Sequence, residues 1–327
     1  MLVRLSSIGD VLLASPVAEK VRQHYPNARI TWVVESKSKD VIVGNPFVDE
    51  VIVWPRTEWQ NQAKRTRNYL HLIRQTCTFI QSIRDRHPDL VINMQGMLRS
   101  ALIGFFSGAK YRICPANGRE LSTWFANCIV DNETEKHAMY QYVSLLSPLG
   151  IELSDMHMHM SVTNQDLIYA DKLISQHGLR EGQFVTLDPS ASQEAKCWPT
   201  EYYAALADQI IEEYHLGIVL LGAPSDQARV AEIIGMMTRK ANDVSGETTL
   251  KQLGAIVKKS RMFISGDTGP LHIAAAVGTP TVSIFGPSNS VRYAPVGKNH
   301  VALTGESMRD VNLSQVLAAV RQLLTVI

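Results

Sequence analysis

The sequence predicts an α/β protein made of two doubly wound, Rossmann-like domains facing one another across a cleft. Three observations carry this. Short apolar, β-branched runs alternate with longer helical patterns along the whole chain. The alternation occurs twice, with a loop-rich stretch near 150–163 between the two rounds. A length of 327 residues suits two domains of roughly 150 residues each.

In the first half the strand-like runs are 2–5 (LVRL), 30–34 (ITWVV), 51–53 (VIV) and 90–93 (LVIN). In the second they are 184–187 (FVTL), 217–221 (GIVLL), 262–265 (MFIS) and 281–285 (TVSIF). Helical patterns fill 11–24, 64–86, 97–106, 137–149, 163–177, 200–214, 226–239, 249–258 and 270–277. A boundary after residue 155 gives domains 1–155 and 156–327. The last segment, 311–326, is an amphipathic helix expected to pack back onto the first domain. Open parallel sheets bind ligands at the carboxyl ends of their strands, so the residues just after strands matter most.

Composition excludes several classes. With 45% hydrophobic residues and a mean hydropathy of −0.04, the chain is neither disordered nor collagen-like. Lys and Arg number 32 against 31 Asp and Glu, too small a basic excess for a protein that holds nucleic acid through phosphates. The charge is uneven, however. Residues 1–155 are net +3 and residues 156–327 net −2, and the stretch from Arg56 to Arg119 is net +8. That stretch reads as a solvated helical face or as a patch that meets an anionic partner. The four cysteines show no C-x-x-C spacing and read as reduced thiols. No run approaches the roughly 18 apolar residues of a membrane span. The first twenty residues read as strand, loop and helix rather than a signal peptide, so a cytoplasmic location is expected.

Loop 6–10 (SSIGD) follows the first strand and opens a helix. Gly9 allows a sharp turn, and Ser7 with the helix amides suits an anion or a polar acceptor. Asp10 reads either as the helix N-cap or as a general base that deprotonates a nearby hydroxyl. The block 261–288 is the most informative. A strand runs into Gly266-Asp-Thr-Gly-Pro270 and then a helix, so amides at a helix start and the Thr268 hydroxyl form a phosphate cradle with Gly269. His272, one turn into that helix, reads equally as a buried structural histidine or as part of the site.

Loop 188–198 (DPSASQEAKCW) supplies hydroxyls from Ser190 and Ser192 and a point charge from Lys196 that suits a diphosphate. Trp198 reads as an anchor of the next helix. Asp226 reads as a ribose ligand or as the N-cap of 226–239. Gln95 and Gly96 follow another strand, and Arg119 in the basic stretch suits a carboxylate or phosphate, or is a surface charge.

Absences narrow the chemistry. The sequence holds no G-x-G-x-x-G, no G-x-x-x-x-G-K-[ST], no H-E-x-x-H and no Asp-x-Asp. His157-Met-His159 lies in the linker without a partner cluster. No metal is therefore expected, and a departing diphosphate would be stabilised by amides, hydroxyls and Lys196.

Taken together, RLSSIGDVLLASP (4–16), DLVINMQGMLRSAL (89–102), KCWP (196–199), LGAPSDQ (221–227) and SGDTGPLHIAAAVGTPTVSIFGPS (265–288) resemble glycosyltransferase family 9. These are the ADP-heptose:lipopolysaccharide heptosyltransferases, and residues 298–327 are closer to the heptosyltransferase I pattern. The resemblance implies a GT-B fold and inverting, metal-independent transfer of heptose from ADP-heptose to the lipopolysaccharide inner core. It implies Asp10 as the catalytic base. It implies Ser190, Ser192, Lys196, Asp226, Asp267, Thr268, Gly269 and His272 on the donor side, with Asp267 holding the donor sugar's hydroxyls. Ser7, Gly9, Arg56, Lys64, Arg65, Gln95 and Arg119 would serve an anionic acceptor, and the enzyme would work at the inner face of the inner membrane. Two alternatives stand beside it: a GT-B enzyme using another nucleotide sugar, as a transferase or epimerase, and a non-catalytic nucleotide or glycan binder.

Overall fold

The computed structural model describes residues 1–152, 154 and 156–326. The chain divides into two compact units, Met1–His159 and Met160–Ile327. The division falls a few residues beyond the expected one, whose last residue, Asp155, lies outside the described residues.

The first unit contains β1 (Leu2–Val3), α1 (Ile8–Ala14), α2 (Pro16–His24), β2 (Thr31–Glu35), β3 (Glu50–Trp54), α3 (Arg56–Thr66), α4 (Tyr69–Arg84), β4 (Leu90–Asn93), α5 (Leu98–Phe106), β5 (Tyr111–Pro115), β6 (Cys128–Val130) and α6 (Ala138–Val143). Its six strands are all parallel, in the order β3-β2-β1-β4-β5-β6. Pro16 opens α2 where the sequence suggested one continuous helix, because its fixed φ suits a first helical turn. The expected helix 64–86 is likewise two helices, broken where Arg67 takes a left-handed φ of 54°.

The second unit contains α7 (Asn164–Gln176), β7 (Phe184–Asp188), α8 (Thr200–Tyr214), β8 (Gly217–Leu220), α9 (Gln227–Met236), β9 (Asn242–Asp243), α10 (Leu250–Lys259), β10 (Met262–Gly266), α11 (Gly269–Ala276), β11 (Thr281–Phe285), α12 (Ser290–Tyr293), β12 (His300–Thr304) and α13 (Leu313–Val326). The sheet runs β12-β11-β10-β7-β8-β9, again all parallel. Numbered from its own first strand, this is the same 3-2-1-4-5-6 order as in the first unit. Strands β7, β10 and β11 are buried at every residue, as helices on both faces require. Helix α13 belongs to the second unit and packs on α8, β11 and β12. Val316 and Val320 on α13 are fully buried in the core that holds Leu220, Ile264 and Trp198. At about 1.5–3 kcal/mol for each fully buried aliphatic side chain, that face fixes the helix where it lies.

The 3-2-1-4-5-6 order sets where ligands bind. The order in which successive strands are laid down across the sheet reverses between β1 and β4 in one unit and between β7 and β10 in the other. Loops at such a reversal diverge to opposite faces and leave a crevice at the carboxyl ends.

Candidate active site

At the first reversal, Asp10 sits in the first turn of α1. Ser7, not Asp10, is the N-cap, because helical geometry begins at Ile8. Ser7 donates to Asp10 Oδ2 from its backbone N–H at 3.3 Å and its hydroxyl at 2.9 Å. Arg4 Nη2 reaches the same oxygen at 2.8 Å, and the Tyr142 hydroxyl donates to Oδ1 at 2.8 Å. Arg4 also donates to the Met94 carbonyl at 3.0 Å, and its guanidinium lies 4.9 Å from the Tyr142 ring centroid. Burial pushes the Asp10 carboxyl up, but the Arg4 guanidinium, then Tyr142 and Ser7, outweigh it and hold it below the ordinary carboxylate range. The group is thus ionised at neutral pH. Its side chain is 24% exposed, against 8% for Arg4, so the carboxylate is reachable while its counter-ion is enclosed. Each carboxylate oxygen has two lone pairs, and Oδ1, with the Tyr142 bond, has room for one further hydroxyl.

The other first-unit candidates divide into two groups. Gln95 Oε1 accepts from the Leu5 and Ser6 amides at 3.1 and 3.4 Å, tying the loop after β1 to the loop after β4. Gly9 lies buried inside α1 with helical backbone, so it is not the sharp turn expected of it. The positive φ near this site belongs to Gly96, at 62°, where a Cβ would meet Pro115 at 3.1 Å. Arg119 is exposed, and its amide donates to the Gly96 carbonyl at 2.7 Å, placing it beside that loop. Arg56 is tethered elsewhere: Nε bonds Glu35 at 2.8 Å and Nη1 bonds Gln60 at 3.1 Å. Lys64 and Arg65 lie in the last turn of α3, about 12–14 Å along the helix from Arg56.

At the second reversal, the loops after β7 and β10 meet. Gly266 is required there, because a Cβ would come within 2.9 Å of the Lys196 carbonyl oxygen. Lys196 Nζ lies 2.7 Å from Asp267 Oδ2. Thr268 is the N-cap of α11, its Oγ1 accepting from Leu271 N–H at 3.3 Å. The cap uses a lone pair, so the Thr268 hydroxyl hydrogen is left to donate to an anion. Gly269 opens the helix and Pro270 follows, without an N–H. Ser190 is buried on the loop after β7, and its hydroxyl has no hydrogen-bond partner among the described residues. Ser192 is exposed on the same loop. Asp226 stands after the adjacent strand β8. Its carboxylate bonds back to the Ala223 amide at 2.8 Å and does not cap α9. His272 is buried on α11. Trp198 is fully buried and donates to the Val311 carbonyl at 2.7 Å, the anchor expected of it.

Sequence reasoning missed three residues. Arg4 lies in an apolar run, and a charge there signals a buried partner. Tyr142 is 132 residues from Asp10 and carries no local signal. Asp188 ends β7, with the Ser190 amide donating to it at 3.2 Å. Burial pushes its carboxyl up to about 7, the Ser190 amide lowers it, and the nearby Asp226 charge raises it. The folded value exceeds the unfolded one, so Asp188 takes up a proton on folding between roughly pH 4 and 7, and stability falls as pH rises through that window. Asp188→Asn is therefore expected to raise the folding stability at pH 8 by an amount on the order of 4 kcal/mol, seen as a higher Tm, and to leave Tm nearly unchanged at pH 4. Thermal melts across pH check this, and equal shifts at both pH values would be the contrary result.

Among the described residues, no group of three or more His, Cys, Asp or Glu side chains is placed to hold a metal ion. No helix of the described residues is long and apolar enough to cross a membrane. The family model for glycosyltransferase family 9 (heptosyltransferase) matches residues 76–316.

The chain belongs to glycosyltransferase family 9.

Relatives agree with this. The lipopolysaccharide core heptosyltransferase OpsX of Haemophilus influenzae is 24% identical over 300 residues, covering 90% of this chain and 80% of that protein. Lipopolysaccharide heptosyltransferase 3 of Escherichia coli is 27% identical over 297 residues, covering 89% and 83%. Relatives named heptosyltransferase 1, 2 and 3 all match at 21–27% identity, so identity does not favour the type I pattern over the others. A family 9 glycosyltransferase structure from Veillonella parvula superposes with a TM-score of 0.85 at 23% identity, covering 99% of this chain and 96% of that one. The E. coli heptosyltransferase WaaC with ADP-2-deoxy-2-fluoro heptose gives 0.78 at 20% identity, covering 98% of each chain. The fold is thus the GT-B arrangement of family 9, with two doubly wound parallel-sheet domains.

Proposed function

We propose that the protein is an inverting, metal-independent heptosyltransferase that uses ADP-heptose and a lipopolysaccharide inner-core acceptor. The observation that carries this reading is the Asp10 carboxylate, ionised and reachable at the first sheet's reversal. An acceptor hydroxyl bonded to Oδ1 loses its proton to Asp10 as its oxygen bonds the anomeric carbon. The bond from that carbon to the phosphate oxygen breaks, and ADP leaves with the electron pair. Attack opposite the leaving group inverts the centre. Arg4 and Tyr142 act through Asp10 as positioning residues, fixing the carboxylate's rotamer and charge.

On the donor side, Lys196, the Thr268 hydroxyl, the Gly269 amide and Ser190 are the groups suited to a diphosphate. Asp226 and Asp267 suit the ribose and the sugar hydroxyls. The ligands named in the structures of relatives support ADP-heptose as donor, and the names of curated relatives support the lipopolysaccharide acceptor.

ADP release from ADP-heptose with a truncated core acceptor is expected to be the same with and without EDTA. Loss in EDTA that a divalent ion restores would overturn the metal-free step. A larger thermal shift with a UDP-sugar than with ADP-heptose would point to a different donor. Tight donor binding without turnover on any core acceptor would make the protein a binder.

A further inference from the structure

We propose that the tip of the α3–α4 hairpin docks on the anionic surface of a lipid bilayer. The proposal deepens the reading above, since it rests on an acceptor that is itself a lipid. Helix α3 ends at Arg67, whose left-handed backbone reverses the chain, and Asn68 caps α4 by accepting from His71 N–H at 3.0 Å. Just past this tight turn, Leu70 is 81% exposed, Ile73 58% and Tyr69 56%. Spaced three and four apart, they share one face of the helix. Around them stand Lys64, Arg65, Arg67 and Arg74, all exposed, and no Asp or Glu occurs between residues 59 and 84.

The tip is also placed for the task. Phe79 on α4 stacks on Trp54, the last residue of β3, with centroids 5.5 Å apart, and touches Trp59 at 6.3 Å. Phe79 is therefore level with the carboxyl end of the sheet. Helix α4 runs from the tip back toward the amino end of β4, and Leu70 lies nine residues before Phe79. At 1.5 Å per residue the apolar tip stands about 14 Å beyond the carboxyl ends. All six strands are parallel, so this is the end that carries Arg4, Asp10 and Gln95.

Exposed aliphatic side chains ringed by cations enter the headgroup–acyl boundary while the cations meet anionic headgroups. Tyr69 suits the same interfacial depth. Four cations without an intervening acid complement an anionic lipid surface.

The test is co-sedimentation of the full chain with vesicles of phosphatidylethanolamine and phosphatidylglycerol, against vesicles of phosphatidylcholine alone. Binding is expected to the anionic vesicles and to weaken with salt. Leu70→Gln/Ile73→Gln is expected to lower it on the order of a hundredfold, and Arg67→Asn/Arg74→Gln by roughly tenfold or more, each with unchanged Tm. Equal binding to both vesicle types, or undiminished binding of Leu70→Gln/Ile73→Gln, would overturn the proposal. So would a loss of self-association in that variant, by sedimentation velocity, in place of a loss of vesicle binding. Turnover of Leu70→Gln/Ile73→Gln is expected to fall on a vesicle-embedded acceptor and to hold on a delipidated one. No turnover on any acceptor, with anionic vesicle binding intact, overturns the transfer reading and leaves the docking surface standing.

Discussion

Asp10→Asn is expected to lower kcat by roughly a thousandfold, with the KM values little changed. Loss of a general base costs about 10²–10⁴ in rate, and the amide nitrogen or oxygen that replaces Oδ1 cannot take up the acceptor's proton. The substitution also strands the enclosed Arg4 guanidinium, so Tm falls by the equivalent of about 1–3 kcal/mol. ADP release and a thermal melt on the same sample separate the two effects. Full turnover by a folded Asp10→Asn protein would remove Asp10 from the mechanism. The pH profile adds a second check. Asp10 has a folded value below its ordinary 3.8. The ionised form that accepts the proton thus persists through the ordinary carboxylate range and is lost only below it. The stability it contributes follows the same sign: present above the unfolded value, and lost as pH falls through the folded one. Tyr142→Phe removes one of the contacts that lower the value, so the acid limb of kcat/KM moves to higher pH.

Lys196→Gln is expected to lower kcat/KM for the donor by about two orders of magnitude. The diphosphate gains charge as it departs, and Lys196 is already held near the Thr268 cap by its ion pair with Asp267. Removing the ammonium has a second consequence: the Asp267 carboxylate is left without its counter-charge beside the phosphates. The double variant Lys196→Gln/Asp267→Asn is therefore expected to recover part of the loss, and a double-mutant cycle on donor kcat/KM reads that coupling. Steady-state kinetics with each substrate varied in turn check the assignment. An effect confined to the acceptor's KM would contradict it.

Central strands were legible in the sequence because burial on both faces writes itself as an unbroken apolar run: TWVV in β2, FVTL in β7, TVSIF in β11. The strands missed were β5, β6, β9 and β12. β6, β9 and β12 are sheet edges, and β5 adjoins one. β12 has no fully buried residue, and β9 is two polar residues long, so neither shows a core pattern. The turn at Asp267–Gly269 that opens α11 was readable because its residues are contiguous and their backbone demands are local. The surroundings of Asp10 were not, because Arg4 and Tyr142 reach it from the residue after β1 and from α6 through side chains alone. The spread of Arg56, Lys64 and Arg65 along α3 was not legible either, because a run of basic residues does not show how a helix distributes them.

Each unit buries its own apolar residues, around Val33, Ile83 and Val91 in one and around Leu220, Ile264 and Val316 in the other. The loops above the two sheets thus draw their support from separate interiors. In evolutionary terms, the loops that meet one substrate can drift, lengthen or be grafted from a cousin without disturbing the packing beneath the loops that meet the other. If the first unit's loops meet the acceptor and the second's the donor, as proposed, the two specificities can change independently.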